Sequence, residues 1–303
     1  MLCKEGLYMK ILNFGSCNID YVYEVSHTVQ PGETLAAKNL QHFPGGKGLN
    51  LSIAVAKAGV PVYHAGCVGE DDNLLQPILK ENGVDLRFLK VISEPTGHAI
   101  IQVDENGENC IIIYGGANVA ITKEHIDEVL SEFGEGDLLF LQNEINNLEY
   151  IIEEAYKRGM RILFNPSPYR EELKKLDFNK LYAVLLNQLE ARAFSGKTEP
   201  MECLLALREM YPHLQVVITL GKNGCIYADG QEIYTQPSYS VDVVDTTAAG
   251  DTFSGYFVSG LYRNESPEVI LKNATAAAAL ATTRKGAAPS IPTRDEVEKF
   301  IAE

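Results

Sequence analysis

At 303 residues and 46 % hydrophobic, the chain is long enough for one large α/β core. Its 41 Asp and Glu outnumber 26 Lys and Arg, and a formal charge of −15 speaks against a nucleic-acid partner, whose phosphates reward the opposite sign. Six cysteines (Cys3, Cys17, Cys67, Cys110, Cys203, Cys225) form no CxxC pair and have no histidine at zinc-ligand spacing, as expected of reduced thiols in a cytoplasmic protein. No stretch reaches the ~18 apolar residues that span a bilayer. MLCKEGLYMKILNFG lacks the apolar core and cleavage site of a signal peptide.

Short apolar runs alternate with amphipathic stretches, the pattern of βα units around a mostly parallel sheet. KILNFG predicts a buried first strand. Residues 19–43 read as extended, with a turn at Pro31-Gly32. Lys47 to Ala58 predicts a helix, VYHAGCVG a strand, and LLQPILKENG a helix with glycine beyond its end. His98 to Tyr114 predicts a hairpin, AIIQV and CIIIY around Glu105-Asn106-Gly107, for which a two-residue and a three-residue loop both fit. DLLFLQN, RILFNP, AVLLNQ and QVVITLG follow as strands, with LEYIIEEAYKRG and MECLLALREMY as helices between them. No repeat, linker or low-complexity block divides the chain, so one domain over residues 1–303 is expected. Segments 19–43 and 98–114 break the α/β rhythm and predict a small separate sheet over a site on the main body.

Four segments carry polar chemistry, and each has two readings on its own. In DTTAAGDTF the small residues Ala248, Ala249 and Gly250 precede a helix-like run, so backbone N–H groups there suit an anion and the helix dipole adds to the attraction. Asp251 either faces a substrate hydroxyl as a base or only caps the helix. In PGGKGLN, three glycines around Lys47 bare the backbone for a polar ligand, and Asn50 offers a donor and an acceptor. The spacing is neither Walker A nor GxGxxG, and a plain turn with a solvated lysine fits as well. Asn187 and Glu190 follow a strand at the edge where open α/β sheets bind ligands, and their oxygens suit hydrated magnesium. They equally read as a helix cap and a surface glutamate. Thr219 to Gly224 is either a nucleotide-phosphate loop or a hairpin turn.

Taken in chain order, GSCNID, PGGKGLN, LQNE, FNPSP, NQLE, ITLGKNG, DTTAAGDTF and TRKGAAPSIP make the chain resemble the PfkB, or ribokinase-like, carbohydrate kinases from Lys10 to Ile301. The resemblance implies a three-layer α/β/α sandwich with a mostly parallel central sheet and a small β-sheet lid. It implies ATP-dependent phosphorylation of the primary 5-hydroxyl of ribose. Deoxyribose, another pentose or hexose, or a nucleoside is the alternative on the same scaffold, and a sugar-sensing pseudokinase is the non-enzymatic one. Asp251 would be the catalytic base, with the amides of Ala248, Ala249, Gly250 and Asp251 as the anion hole. Sugar contacts carry over to Asn18, Asp20, Gly46, Lys47, Asn50 and Glu144. Asn187 and Glu190 fall in the nucleotide and magnesium region, Thr219, Gly221 and Gly224 along the nucleotide, and Thr275 toward adenine.

A monovalent cation, potassium, would sit by Asp245 and Thr247, with Ala281, Arg284, Gly286 and Ser290 contributing mainly backbone or hydroxyl groups. Such ions and helix N-termini supply the positive potential that an acidic chain handling ATP otherwise lacks. The two arrhythmic segments correspond to the lid. Their hairpin carries apolar side chains on both faces, Ala99, Ile101 and Val103 on one and Ile100 on the other, with Ile111 to Tyr114 opposite, which implies a homodimer through the lid. Leu49 and Leu51 stand where alanine and glutamine are usual, and His98 where a small or β-branched residue is common, so the sugar stays open. The residues before Met9 have no counterpart.

Overall fold

The computed structural model describes residues 9–303; Cys3 and the rest of the segment before Met9 lie outside the described residues. In chain order come β1 (Ile11–Phe14), β2 (Asn18–Glu24), β3 (Asn39–Gly45), α1 (Lys47–Lys57), β4 (Tyr63–Gly69), α2 (Leu75–Glu81), β5 (Asp85–Ile92), β6 (Gly97–Val103) and β7 (Asn109–Tyr114). Then follow α3 (Lys123–Leu130), β8 (Leu138–Gln142), α4 (Leu148–Lys157), β9 (Arg161–Asn165), β10 (Ala183–Asn187), α5 (Gln188–Ser195), α6 (Pro200–Met210) and β11 (Gln215–Thr219). The chain ends with β12 (Cys225–Ala228), β13 (Ile233–Gln236), α7 (Ala249–Tyr262), α8 (Pro267–Thr282) and α9 (Arg294–Ala302).

Strand side chains alternate between two cores, which makes three layers. Ile11, Leu138 and Phe140 face one apolar cluster with residues of α1, α7 and α8, among them Ile53, Phe257 and Ala274. Leu12, Phe14, Leu139 and Leu141 face the other, with Ile126 of α3, Ile151 of α4 and Leu204 of α6. The central sheet runs β13-β12-β11-β10-β9-β8-β1-β4-β5, parallel from β11 through to β5, with β12 and β13 antiparallel at one edge. The chain winds outward from β1 through β4 to β5, then returns to β8 on the other side of β1. That reversal opens a crevice at the carboxyl ends of β1 and β8, where open α/β sheets bind ligands.

A second sheet has the order β3-β2-β6-β7, with β2 and β6 parallel and the outer pairs antiparallel. Of the two hairpin lengths, three residues is the one found. Asp104 and Glu108 still pair, the Gly107 N–H donates to the Asp104 carbonyl, and Gly107 takes a φ of +81°. Pro31-Gly32 forms the expected turn, closed by the Glu33 N–H on the Gln30 carbonyl. Register puts Asn18, Asp20 and Val22 on one face of this sheet with Gly45, Phe43, Gln41, Gly97, Ala99 and Ile101. Tyr21, His42, His98 and Tyr114 form an aromatic row on the other. The outer strand β7 is exposed along its length, with Ile111, Ile112 and Ile113 at 50 %, 61 % and 57 %. Among the described residues no helix is long and apolar enough to cross a membrane.

Candidate active site

The glycines of PGGKGLN are there because other parts of the chain lie against them. Gly46 has a φ of +94°, and a Cβ on Gly48 would fall 2.4 Å from the Ser16 amide nitrogen, so the segment leaving β1 rests on this loop. A Cβ on Gly45 would fall 2.2 Å from Asp20 Oδ2. Lys47 is not the solvated lysine of a plain turn. It is half-buried, and the carboxylates of Asp251, then Glu144 and Glu190, hold its ammonium above its usual range although burial works against the charge.

Glu144 follows β8 across the crevice. Its Oε2 accepts from the Lys47 backbone N–H at 3.0 Å, at the first turn of α1, and from the Ser16 hydroxyl. Burial first, and the nearby Glu144 charge second, push the Asp20 carboxyl up to about 7. Asn50 donates through Nδ2 to Asp251 Oδ2 at 2.9 Å, while its own Oδ1 is buried with no partner. An orphaned buried acceptor is costly unless a ligand hydroxyl meets it.

Asp251 does not cap its helix. The N-cap of α7 is Ala248, at a φ of +59° with no side-chain cap, and Asp251 sits in the first turn, 7 % exposed, held by Asn50. Of the first N–H groups of this helix, that of Ala249 donates to the Thr246 carbonyl at 3.3 Å, while those of Gly250 and Asp251 have no backbone acceptor and suit an anion. A Cβ on Gly250 would meet nothing within 4 Å, and Gly250 lines two adjoining pockets.

The smaller pocket, about 200 Å³, is bounded by Lys47, Asn187, Glu190, Thr219 and Asp251 among others. Both readings of Asn187 and Glu190 hold at once. They form a capping box at α5, with the Asn187 oxygen accepting from the Glu190 N–H and Glu190 Oε2 accepting from the Asn187 N–H, each at 2.9 Å. Glu190 is nonetheless 4 % exposed rather than on the surface, and its Oε1 takes no part in the capping box. Magnesium takes few protein ligands, so a single buried carboxylate beside phosphate space fits it.

The larger pocket, about 510 Å³, is lined by Thr219, Gly221, Gly224 and Thr275. Thr219 to Gly224 is a hairpin connection, since β11 and β12 are antiparallel, and it is also a pocket wall. Thr275 is 5 % exposed, with its hydroxyl 3.6 Å from Cys225 Sγ.

Near α7, Asp245 gathers part of the expected cation loop. Its Oδ1 accepts from the Thr247 N–H and hydroxyl, and its Oδ2 from the Gly286 N–H at 2.9 Å. Burial raises the Asp245 carboxyl, but those hydrogen bonds outweigh it and hold it below the usual range. Arg284 turns its guanidinium to Glu296 at 2.7 Å, which leaves only its main chain for an ion. Ser290 is fully buried and donates to the Ala287 carbonyl, and Ala281 is buried in α8. Among the described residues no group of three or more His, Cys, Asp or Glu is placed to hold a metal ion, so carbonyl and hydroxyl oxygens would have to supply such a site.

Several pocket residues escape a reading of the sequence. Asn165, Ser167 and Ser254 line the smaller pocket, and Ser238, Ser240 and Thr282 the larger. Asn165 and Ser167 lie in FNPSP, a segment singled out above but given no role. Asn118, which holds Asn18, carries no local signal at all.

Comparison with known proteins shows the family of the chain. Residues 9–294 match the family described as pfkB family carbohydrate kinase. The ribokinase of Haemophilus influenzae is 32 % identical over 299 residues, covering 95 % of this chain and 96 % of its own. Ribokinase from Thermotoga maritima has a TM-score of 0.87 at 37 % identity, over 98 % of this chain and 100 % of that one. Arabidopsis thaliana ribokinase, solved with ribose and ATP, has a TM-score of 0.86 at 30 % identity, over 98 % and 100 %. With the family match spanning nearly all the described residues, the chain belongs to the pfkB family of carbohydrate kinases.

Proposed function

We propose that the chain transfers the γ-phosphate of ATP to the 5-hydroxyl of D-ribose. The observation that carries this reading is the Asn50–Asp251 pair, with Asp251 at the junction between the glycine-rich loop and the smaller pocket. Asn50 occupies Oδ2, so Oδ1 is left to take the proton of an attacking hydroxyl, with Asp251 as general base. Phosphoryl transfer asks for in-line positioning and neutralised charge more than covalent chemistry. The first amides of α7 and the Lys47 ammonium supply that charge from the chain itself. Asn18, Asp20, Asn50 and Glu144 hold the sugar, the larger pocket holds the nucleoside, and Asn187 with Glu190 faces the magnesium-bound phosphates.

Residues 1–303 act as one catalytic unit in this reading, with segments 19–43 and 98–114 as its lid. Potassium at Asp245, Thr247 and the 281–290 segment would add fixed positive charge behind the anion hole. The exposed isoleucines of β7 favour a homodimer through the lid, which light scattering tests: a monomer at micromolar concentration ends that reading. Free cysteines, five among the described residues, fit the cytoplasm.

The decisive experiment is a coupled ATPase assay across pentoses, deoxyribose and nucleosides, in potassium and in sodium at equal ionic strength. Ribose is expected to give the highest kcat/KM, with 2-deoxyribose lower by roughly tenfold or more, because a missing hydroxyl leaves a buried polar group unpaired. Faster turnover is expected in potassium. Equal or better use of deoxyribose overturns ribose as the substrate, and equal rates in both salts remove the cation.

A further inference from the structure

Turning a primary amide over exchanges donor for acceptor within nearly the same outline, so its neighbours decide which end points where. Asn118 lies in the single 3-10 turn Gly116–Val119 after β7 and is 1 % exposed. It meets both backbone groups of Cys17. The Cys17 N–H is 2.9 Å from Asn118 Oδ1, and the Cys17 carbonyl is 3.1 Å from Asn118 Nδ2. A backbone N–H only donates and a carbonyl only accepts, so both ends of the Asn118 amide are assigned without choice.

The same Nδ2 donates to the side-chain oxygen of Asn18 at 2.7 Å. Asn18 is thereby assigned too, with its oxygen held inward. Its NH2 has no acceptor among the described residues and is not sealed away from solvent, so it is free for a ligand. Asn18 stands on the same face of β2 as Asp20. Room for the pair comes from Gly97, the partner of Asn18 across β2 and β6. A Cβ there would fall 2.1 Å from Asn118 Nδ2 and 2.5 Å from Asn18 Oδ1.

We propose that Asn118 is a positioning residue that locks the Asn18 amide donor-end outward, so that Asn18 recognises an acceptor oxygen of the sugar. Asp20 and the orphaned Asn50 Oδ1 then take hydrogens from the sugar hydroxyls. The site thus reads both ends of a hydroxyl group, one donor set against several acceptors. The inference rests on Asn18 being a sugar contact, and the test separates the two claims.

Asn118→Asp keeps the outline but puts an acceptor where Nδ2 donated, so Asn18 turns over and shows the sugar an oxygen. KM for ribose is expected to rise about tenfold or more, with kcat at saturating ribose and KM for ATP within about twofold of wild type. A merely structural Asn118 would instead lower kcat and melting temperature together without a selective change in KM. Asn18→Asp still accepts from Asn118 but presents an oxygen outward, and the same rise is expected. If Asn18→Asp raises KM and a folded Asn118→Asp does not, the positioning role is overturned and the sugar contact stands. If Asn18→Asp leaves KM unchanged, the contact itself fails. Should Asn118→Asp not fold, ¹⁵N-asparagine labelling of the wild-type chain decides. The Asn18 side-chain NH2 signals, assigned by their loss in Asn18→Asp, are expected to shift on adding ribose without nucleotide, and no shift overturns the proposal.

Discussion

The two sides of Asp251 are built from different materials. Toward the glycine-rich loop stand carboxylates, amides and one lysine, nearly all buried or half-buried and held by named partners such as Ser16 to Glu144 and Asn118 to Asn18. Toward the larger pocket stand hydroxyls such as Thr219, Ser238 and Thr275 with apolar side chains such as Val241 and Phe253, and Lys222 is the only charged residue in that wall. Desolvated charge discriminates sharply, because a wrong ligand strands it. A wall of hydroxyls and apolar surface selects mainly by shape. The difference teaches where specificity should be sought: on the small ligand, not the large one.

Substitutions on each side and at the junction can break that contrast. The largest effect is expected at the junction, where Asp251→Asn should lower kcat by ~10²–10⁴ with sugar binding largely kept. Near-wild-type turnover would take Asp251 out of the chemistry. On the charged side, Asp20→Ala should cost about 10- to 100-fold in kcat/KM for ribose, the range for losing a hydrogen bond to a charged group, with KM for ATP unmoved. A matching rise in KM for ATP would mean the two sides are not separate.

A smaller change should follow pH. With the Asp20 carboxyl near 7, the ionised acceptor is scarce at pH 6 and dominant at pH 8, so KM for ribose should fall by up to about tenfold between them. Asp20→Asn should flatten that profile, and an unchanged slope would assign it elsewhere. The sign for stability is the opposite. The folded chain keeps this proton up to about 7, whereas an ordinary aspartate loses it near 3.8, so Asp20 withdraws stability as pH rises through that window. Asp20→Asn should therefore melt above wild type at pH 8, with the gap closing toward pH 4. The smallest effect is expected on the hydroxyl side. Thr275→Val should change KM for ATP by only about 2- to 10-fold, as for a neutral hydrogen bond.

Period and turn chemistry made the layers legible in advance. The short apolar run LLFLQ, the helix-length stretch after Lys47 and the Asn-Gly hairpin all carry their signal within a few residues. Side-chain roles that depend on a distant partner carried none. Asn118 meets Asn18 across 100 residues of chain, and only the register of β2 with β6 brings them together. Gly45 reads as part of a glycine-rich turn until Asp20 is seen to occupy the space of its missing side chain. Asn187 and Glu190 could not be decided locally for a different reason: a capping box uses only one Glu190 oxygen, so cap and ligand are compatible. Arg284 is expected to offer its main chain, and its side chain, paired with Glu296, leaves that main chain available.

The second sheet has a mechanical consequence. Strand β2 begins at Asn18, just past the end of β1 at Phe14, and β3 runs through Gly45 into α1, which starts at Lys47. The cover is therefore spliced into the floor at both ends rather than hung from a hinge. Asp20 rides on β2 itself, so any tilt of this sheet would drag that carboxylate along, and under the proposed function sensing the small ligand and shutting over it would be one displacement, not two. A label on the aromatic row of the opposite face, at His42, would travel with the same lever and report occupancy from outside.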